Sequence, residues 1–244
     1  TGAQASLPTR RQTVLGLTGN TAANGGADNT LRLTLDLPIA LNERDPIGLI
    51  LLQNEETLVT VTIELNTAGA LVDNAAGWTA ALSGLQVHPM VETFSIPALR
   101  EAFPDISILK LVQSKSMVVG AAGQTSLALP VGLTYRKLAI FLENAAGAGL
   151  ADSAITGDFE LVFNQADTPY RIRPSILAGM NQELYGAPLP QGLWVFDFTN
   201  QGIPNLSGAR DYIDTERMTE FWFRYTAPAQ GRVTAVAETL AKLH

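Results

Sequence analysis

Apolar and polar residues alternate along several short segments, and this period of two predicts β-strands with one buried and one exposed face. The clearest examples are 30–38 and 57–66, where every second residue is Leu, Val or Ile. Residues 49–52 and 138–142 are apolar throughout, which is typical of central strands covered on both faces. Clusters of Gly, Asn, Asp and Pro separate these segments and supply turns. The pattern therefore predicts an all-β chain.

The order of the predicted strands occurs twice. Each copy has an alternating strand ending in Leu-Pro, a compact apolar strand ending in Asn, and an alternating strand ending in Asn. The copies comprise 30–38, 48–54 and 57–66 in the first half, and 125–130, 138–144 and 158–164 in the second. This duplication predicts two similar β-sandwich units, and its period is far longer than that of a solenoid repeat. We place the first unit at 1–104 and the second at 105–244.

Three segments interrupt the strand pattern with helical spacing. Residues 97–103 begin with a proline suited to a first helical turn and stop before Pro104. Residues 174–186 carry apolar side chains at helical spacing and end in Gly, which predicts a helix inserted between two strands of the second unit. In residues 232–244, Val233, Val236, Ala237, Leu240 and Leu243 would share one helical face. This stripe predicts an amphipathic tail helix.

Composition narrows the class of protein. The chain has 244 residues with 46% hydrophobic content, which is ample for a core, and no apolar run approaches the ~20 residues of a membrane-spanning helix. It has no cysteine, so disulfides, thiolate catalysis and cysteine zinc sites are excluded. A net charge of −7 argues against a general nucleic-acid binder, because such proteins carry a basic surface.

The first residues carry the nearest approach to a basic cluster. Arg10 and Arg11 lie beside a segment containing Gln, Ser and Pro, and we expect a flexible, solvated arm in the first unit. An inward-facing arm that touches lipid or genome is the alternative. Residues 1–11 lack the charged-then-apolar order of a secretory signal, so localisation cannot be inferred from them.

Candidate catalytic residues are few. The two histidines are His88, in a predicted strand or strand end, and His244, the last residue of the sequence. No serine or other nucleophile has a recognisable base in its sequence context, although triad partners need only be adjacent in space. We therefore predict no catalytic residue and no enzyme activity.

Metal, phosphate and cofactor motifs are also weak. The densest acidic stretch contains Asp211, Asp214, Glu216 and Glu220 but lacks the glycine-centred loop of a calcium hand, so we interpret it as a charged loop. A cation bridging two subunits stays an alternative there. The glycine-rich segments 16–26 and 120–123 lack the Gly-Lys-Ser/Thr ending of a phosphate loop and are interpreted as turns. No metal-binding or cofactor-binding residue is predicted, and no cofactor.

The order of segments resembles the double-jelly-roll major capsid proteins of tailless, membrane-containing icosahedral bacteriophages of the tectivirus and corticovirus type. The likeness extends over about Gln12 to Ala227 and lies in the order of the segments and their general residue pattern. The segments that carry it are Leu37-Pro38, Gly48 to Asn54, Gly132 to Leu138, Phe159 to Asn164, Thr168 to Ile172, the predicted helix after them, Leu193 to Thr199, and Arg210 to Thr219. The chain departs from the pattern in being short, since residues 67–83 leave little room for a tower-forming loop.

The resemblance implies a fold and a role. The fold is two tandem eight-stranded jelly-roll β-sandwiches with short inserted helices. Three subunits form a homotrimer whose six jelly rolls make a pseudo-hexagonal tile of the virion's icosahedral capsid shell, around a membrane and double-stranded DNA. The implied partners are neighbouring capsomers and minor capsid proteins, with the termini in contact with the internal membrane and no sequence-specific nucleic acid.

A carbohydrate- or receptor-binding β-sandwich of a viral spike or fibre is the alternative function, because jelly rolls are also lectin folds. That function needs exposed aromatic residues on a concave face, so Trp78, Trp194 and Trp222 discriminate between the two. Aromatic residues in strands more often fill the core. A cupin-like enzyme ranks third, because the chain lacks a histidine cluster.

Overall fold

Two compact units divide the chain: Thr1–Leu49 together with Pro104–His244, and Ile50–Phe103. The computed structural model describes residues 107–165, 167–199 and 212–242, and, of the earlier part, 37, 39–40, 47–50, 52, 58–63, 86–93, 95, 97–99, 101 and 103. The division expected at 104–105 stays a prediction, because most of the first half lies outside these residues. No helix in the described residues is long and apolar enough to cross a membrane.

The described second half is built from strands and one α-helix. The strands are Ile108–Val119 (β1), Gly123–Leu129 (β2), Thr134–Asn144 (β3), Phe159–Phe163 (β4), Asp167–Ile172 (β5), Leu193–Asp197 (β6), Ile213–Asp214 (β7), Phe221–Ala227 (β8) and Gly231–Lys242 (β9). A short 3-10 helix covers Asp152–Ala154, and the α-helix, α1, covers Pro174–Tyr185.

These strands form two antiparallel sheets. The first has the order β1-β9-β3-β6, with the two-residue β7 also paired to β3, and the second has the order β2-β8-β4-β5. Strands that follow one another in sequence mostly lie in opposite sheets, so the chain winds around the sandwich as in a jelly roll. The expected all-β jelly-roll fold is therefore confirmed for the described residues between 108 and 242. A first jelly roll in residues 1–104 stays a prediction.

The core lies between the two sheets and follows the period-two pattern. Along β8, Phe221, Phe223 and Tyr225 are buried, and the residues between them are half-buried on the outer face. Trp194 of β6 is fully buried, and its ring meets that of Phe159 edge to face at 5.1 Å between centroids. Such pairs add about 0.5–1.5 kcal/mol beyond area burial, so aromatic packing holds the sheets together.

Helix α1 lies where the sequence predicts it. Pro174 occupies its first turn, where a missing N–H has no cost, and Gly186 ends it in the left-handed conformation with φ 65°. Leu177 and Asn181 are buried on its inner face. The helix connects β5 to β6 and crosses from one sheet to the other.

The tail helix predicted at 232–244 is wrong, because residues 231–242 form β9. Val233, Ala235 and Ala237 alternate into the core, and β9 pairs with β1 on one side and β3 on the other. The same apolar positions satisfy a helical stripe and a strand face. Hydrogen bonding along both edges of a central strand overrides the helical preference of Ala and Leu.

In the first half the structure departs from the predicted strands wherever it describes them. Residues 58–63 and the described part of 49–52 carry no regular secondary structure, and Val59, Val61 and Ile63 are exposed. Alternation defines a face but supplies no pairing partner, and a strand needs both. Of the predicted strand at 30–38 only Leu37 is described, and the helix predicted at 97–103 is described only in part.

Candidate assembly surfaces

On one side of the sandwich, β1 and β2 are the outermost strands among the described residues. Here the first sheet ends in β1 and the second in β2, and a groove of about 350 Å³ lies between them. Buried Leu129, Ala235 and Ala237 line it, together with the exposed Gln113 and Lys115 of β1. Because β9 contributes only methyl groups and β1 places polar side chains at these core-facing positions, the two sheets do not close over the gap.

Helix α1 covers the opposite edge of the first sheet. The buried Asn181 side chain donates to the Val195 carbonyl at 2.7 Å and accepts from the Val195 N–H at 2.8 Å. One side chain therefore bonds both main-chain groups that Val195 presents at the free edge of β6. Covering an edge in this way prevents further strands from adding there.

The outer face of α1 is apolar along one stripe. Ile176 is 54% exposed and Met180 50% exposed, and they lie one turn apart, followed by the exposed Glu183. Side chains at this spacing are neighbours on a helix surface. Single exposed apolar residues are normal on proteins, and two side by side make a small patch that is a candidate contact surface.

A hydrogen bond connects the C-terminal end of α1 to an ion pair between β3 and β6 of the first sheet. Lys137 Nζ lies 3.1 Å from Asp197 Oδ2, and the Tyr185 hydroxyl donates to the same oxygen at 3.3 Å. Burial alone would raise the pKa of Asp197, but hydrogen bonds from Thr199 and the Lys137 charge hold that pKa below its ordinary value. The pKa of Tyr185 is raised, by burial and by the adjacent Asp197 charge. The last turn of the helix is thus connected to the charged pair on the first sheet.

A second charged cluster lies on the outer face of the first sheet. Glu238 of β9 faces Lys110 at 3.6 Å and Arg136 at 3.3 Å, and these two basic side chains are only 4% and 7% exposed. A Cβ added at Gly48 would lie 3.0 Å from the Lys110 Cβ, so the main chain of the N-terminal segment packs directly against β1. This face is therefore partly occupied by the chain itself.

A cavity of about 410 Å³ lies near the start of α1. Asp152, Asp158, Arg173 and Ser175 contribute its polar lining. Asp158 is already paired with the Arg171 guanidinium at 2.8 Å. Partial burial raises the pKa of Asp152, which a hydrogen bond from the Trp194 indole opposes. These polar groups do not form the hydrogen-bonded series of nucleophile, base and orienting residue that a catalytic triad requires.

The other residues considered from the sequence are spread out. His88 is exposed, and His244 and Asp211 lie outside the described residues. The Asp214 carboxylate accepts from the Glu216 N–H, Glu216 pairs with Lys242 at 3.3 Å, and Glu220 accepts from Gln165 and Trp222. Within the described part of the chain, no three His, Cys, Asp or Glu side chains are placed to hold a metal ion. A cation between copies stays a hypothesis, tested by chelation of assembled particles.

The tryptophans divide between core and surface. Trp194 is in the core, where its indole N–H donates to the Pro174 carbonyl at 3.1 Å. Trp222 is half-buried on the outer face of β8, and its indole N–H donates to Glu220 at 3.1 Å. Trp78 lies outside the described residues. The described residues thus contain one partly exposed tryptophan, Trp222, and the comparison of the three tryptophans stays open at Trp78.

The described half is a jelly-roll sandwich with an apolar groove at one edge and two half-exposed apolar residues on the helix at the other. No protein-family model and no curated protein sequence matches the chain. Solved structures of viral major capsid proteins are similar to it. The major capsid protein of Sulfolobus turreted icosahedral virus has 15% identity and a TM-score of 0.46, over 57% of this chain and 43% of that one.

Two further structures show a similar likeness. The major capsid protein P2 of bacteriophage PM2 has 13% identity and a TM-score of 0.39, over 54% of this chain and 52% of that one. The capsid protein of the virus PBCV-1 has 11% identity and a TM-score of 0.42, over 55% and 47%. The chain spans about half of the length of these proteins. The resemblance to viral major capsid proteins noted in the sequence is thus also found among solved structures.

Proposed function

We propose that this chain is a major capsid protein, a structural protein that self-assembles into homotrimers and tiles an icosahedral virion shell. The observation that carries the proposal is the jelly-roll sandwich of the described second half, which has an apolar groove at one edge and an apolar helical ridge at the other as two unlike surfaces for neighbouring copies. Two different surfaces on one subunit suit repeated head-to-tail contacts between copies, and a shell needs such contacts in addition to those within each trimer.

The duplicated strand pattern supports a tile of six jelly rolls. With two jelly rolls in each chain, a ring of three chains offers six similar sides, which suits hexagonal packing. The hydrogen bonds that attach α1 to β6 through Asn181 and Tyr185 support the proposal further, because a tile must keep its shape. An obligate interface of this kind buries on the order of 2,000 Å² or more.

The enclosed membrane, the double-stranded DNA and the minor capsid proteins belong to the same proposal through the sequence resemblance. Contact of the termini with lipid is tested by flotation of the purified protein with vesicles of phosphatidylglycerol and phosphatidylethanolamine. We expect flotation that is lost when residues 1–11 are removed.

The test of the main proposal is the mass of the purified full-length protein in solution. We expect sedimentation equilibrium to give three times the chain mass, and negative-stain electron microscopy to show particles with a hexagonal outline. A protein that sediments as a monomer across the accessible concentration range would contradict the proposal. Binding to a glycan array in the absence of trimers would favour the carbohydrate-binding alternative.

A further inference from the structure

The groove and the helical ridge lie at the same height of the sandwich. The strand register places Val195 of β6 opposite Ala139 of β3, Ala139 opposite Val236 of β9, and Val236 opposite Ser114 of β1. Asn181 of α1 is bonded to Val195 at one end of this row, and the groove residues 113–115 lie at the other end. One row of residues therefore joins the ridge to the groove across the whole sheet.

Equal height has a geometric consequence. When two complementary sites lie at one level, repeated contacts add copies side by side in a ring or a flat layer. When they lie at different levels, each contact adds a rise and the copies form a helical filament. A shell requires the first arrangement.

The charges of the two surfaces are also complementary. Lys115 is exposed at the mouth of the groove, and Glu183 ends the apolar stripe of α1. Neither side chain has an ion-pair partner among the described residues, whereas Lys110, Lys137 and Lys242 all have one. A lysine beside an apolar groove and a glutamate beside an apolar ridge fit each other in sign and in position.

We propose that the ridge of α1, formed by Ile176, Met180 and Glu183, docks into the groove between β1 and β2 of a second copy of this chain. The proposal rests on the proposed function and specifies one of its contacts. In a ring of six jelly rolls from three chains, first and second rolls alternate, so two second rolls never adjoin within a trimer. The contact of ridge and groove therefore joins neighbouring trimers in the shell.

Introduced cysteines test the contact directly, because the native chain has none. The variant with both Gln113→Cys and Met180→Cys carries one thiol in the groove and one on the ridge. Three strand spacings separate the two edges by roughly 15 Å, whereas a disulfide needs Cα atoms within about 7 Å, so a disulfide between these positions joins two chains. The matched control pairs Met180→Cys with Val118→Cys, an exposed residue of β1 about 14 Å along the strand from Ser114.

The expected result is a ladder of cross-linked chains on non-reducing gels after mild oxidation of concentrated protein, at least tenfold stronger than in the control. Equal cross-linking of both variants would overturn the inference. An introduced thiol at position 113 that resists a small maleimide in isolated trimers would overturn it too, since the groove would already be filled. In both cases trimers persist, which separates this failure from failure of the proposed function.

Charge exchange provides an independent test. Lys115→Glu and Glu183→Lys each place like charges at the contact, and we expect each to abolish association of trimers beyond the single tile. The double variant restores the opposite pair in every contact and should recover association. Asp167→Lys, an equal change of charge at an exposed position of β5, should leave association unaltered. Loss of association in the double variant as well would contradict the pairing.

Discussion

Replacing Asn181 by Ala should loosen the edge of the first sheet that helix α1 protects. The Asn181 side chain is buried and makes both of its hydrogen bonds to one residue, Val195. Alanine leaves the Val195 N–H and carbonyl without partners beneath the helix. Each such buried group costs about 1–3 kcal/mol, because it loses water without gaining another bond.

The net loss of stability in Asn181→Ala is smaller than the sum of these two penalties. Alanine is a better helix former than asparagine by about 0.7 kcal/mol, and water reaches part of the gap left by the shortened side chain. We therefore expect the opening free energy of this region to fall by about 2–3 kcal/mol. At 1.4 kcal/mol per factor of ten, the Val195 amide should exchange roughly 30- to 150-fold faster.

Hydrogen exchange measured by mass spectrometry on peptides covering 193–199 checks this expectation. It is preferable to a global unfolding curve, because a chain with two compact units need not unfold in one step. The neighbouring, exposed Gln182→Ala is the matched control and should change exchange by less than about 0.5 kcal/mol. Exchange in Asn181→Ala as slow as in the control would refute the account of the helix as an edge cover.

Three other substitutions give separate expectations. Gly231→Ala places a Cβ against the Glu143 carbonyl oxygen and should destabilise the protein by about 1–3 kcal/mol in thermal or denaturant unfolding, whereas Gly120→Ala, which meets no neighbouring atom, should be nearly neutral. Asp152→Asn should stabilise the protein at neutral pH, because burial raises the pKa of the Asp152 carboxyl and its ionisation therefore disfavours the folded state. The difference in stability between the two proteins should vanish below about pH 3, where Asp152 is protonated in both the folded and the unfolded state. Trp194→Phe removes the buried hydrogen bond to the start of the helix and should cost about 1–3 kcal/mol, which a Tm shift measures.

The sequence predicts those elements whose side chains obey a single period. Along β8 the aromatic residues alternate strictly between core and surface, and α1 has a proline at its start and a glycine after its end. The hydrogen bonds of Asn181 cannot be predicted from periodicity or from the residues at the helix ends. An asparagine within an amphipathic helix gives no sign that it faces a strand edge, because that edge is brought near by the tertiary fold alone.

Two strands escape sequence-based prediction for opposite reasons. In β9 too many positions are apolar or small, so a helical stripe fits the residues as well as a strand face does. In β1 the core-facing series Leu109, Leu111, Gln113, Lys115, Met117 is broken by two polar residues at its centre, so no alternation is visible.

The break in β1 coincides with the groove. Gln113 and Lys115 replace core residues opposite Ala237 and Ala235, so large side chains are missing on both strands at one level of the sandwich. A local rule that is broken without compensation among the described residues is expected where another part of the assembly completes the packing. An inward-pointing lysine on an edge strand also prevents uncontrolled strand addition. Gln113 and Lys115 would then have two roles. They would keep the free protein from aggregating through β1, and they would leave a recess for the helix of a neighbouring copy.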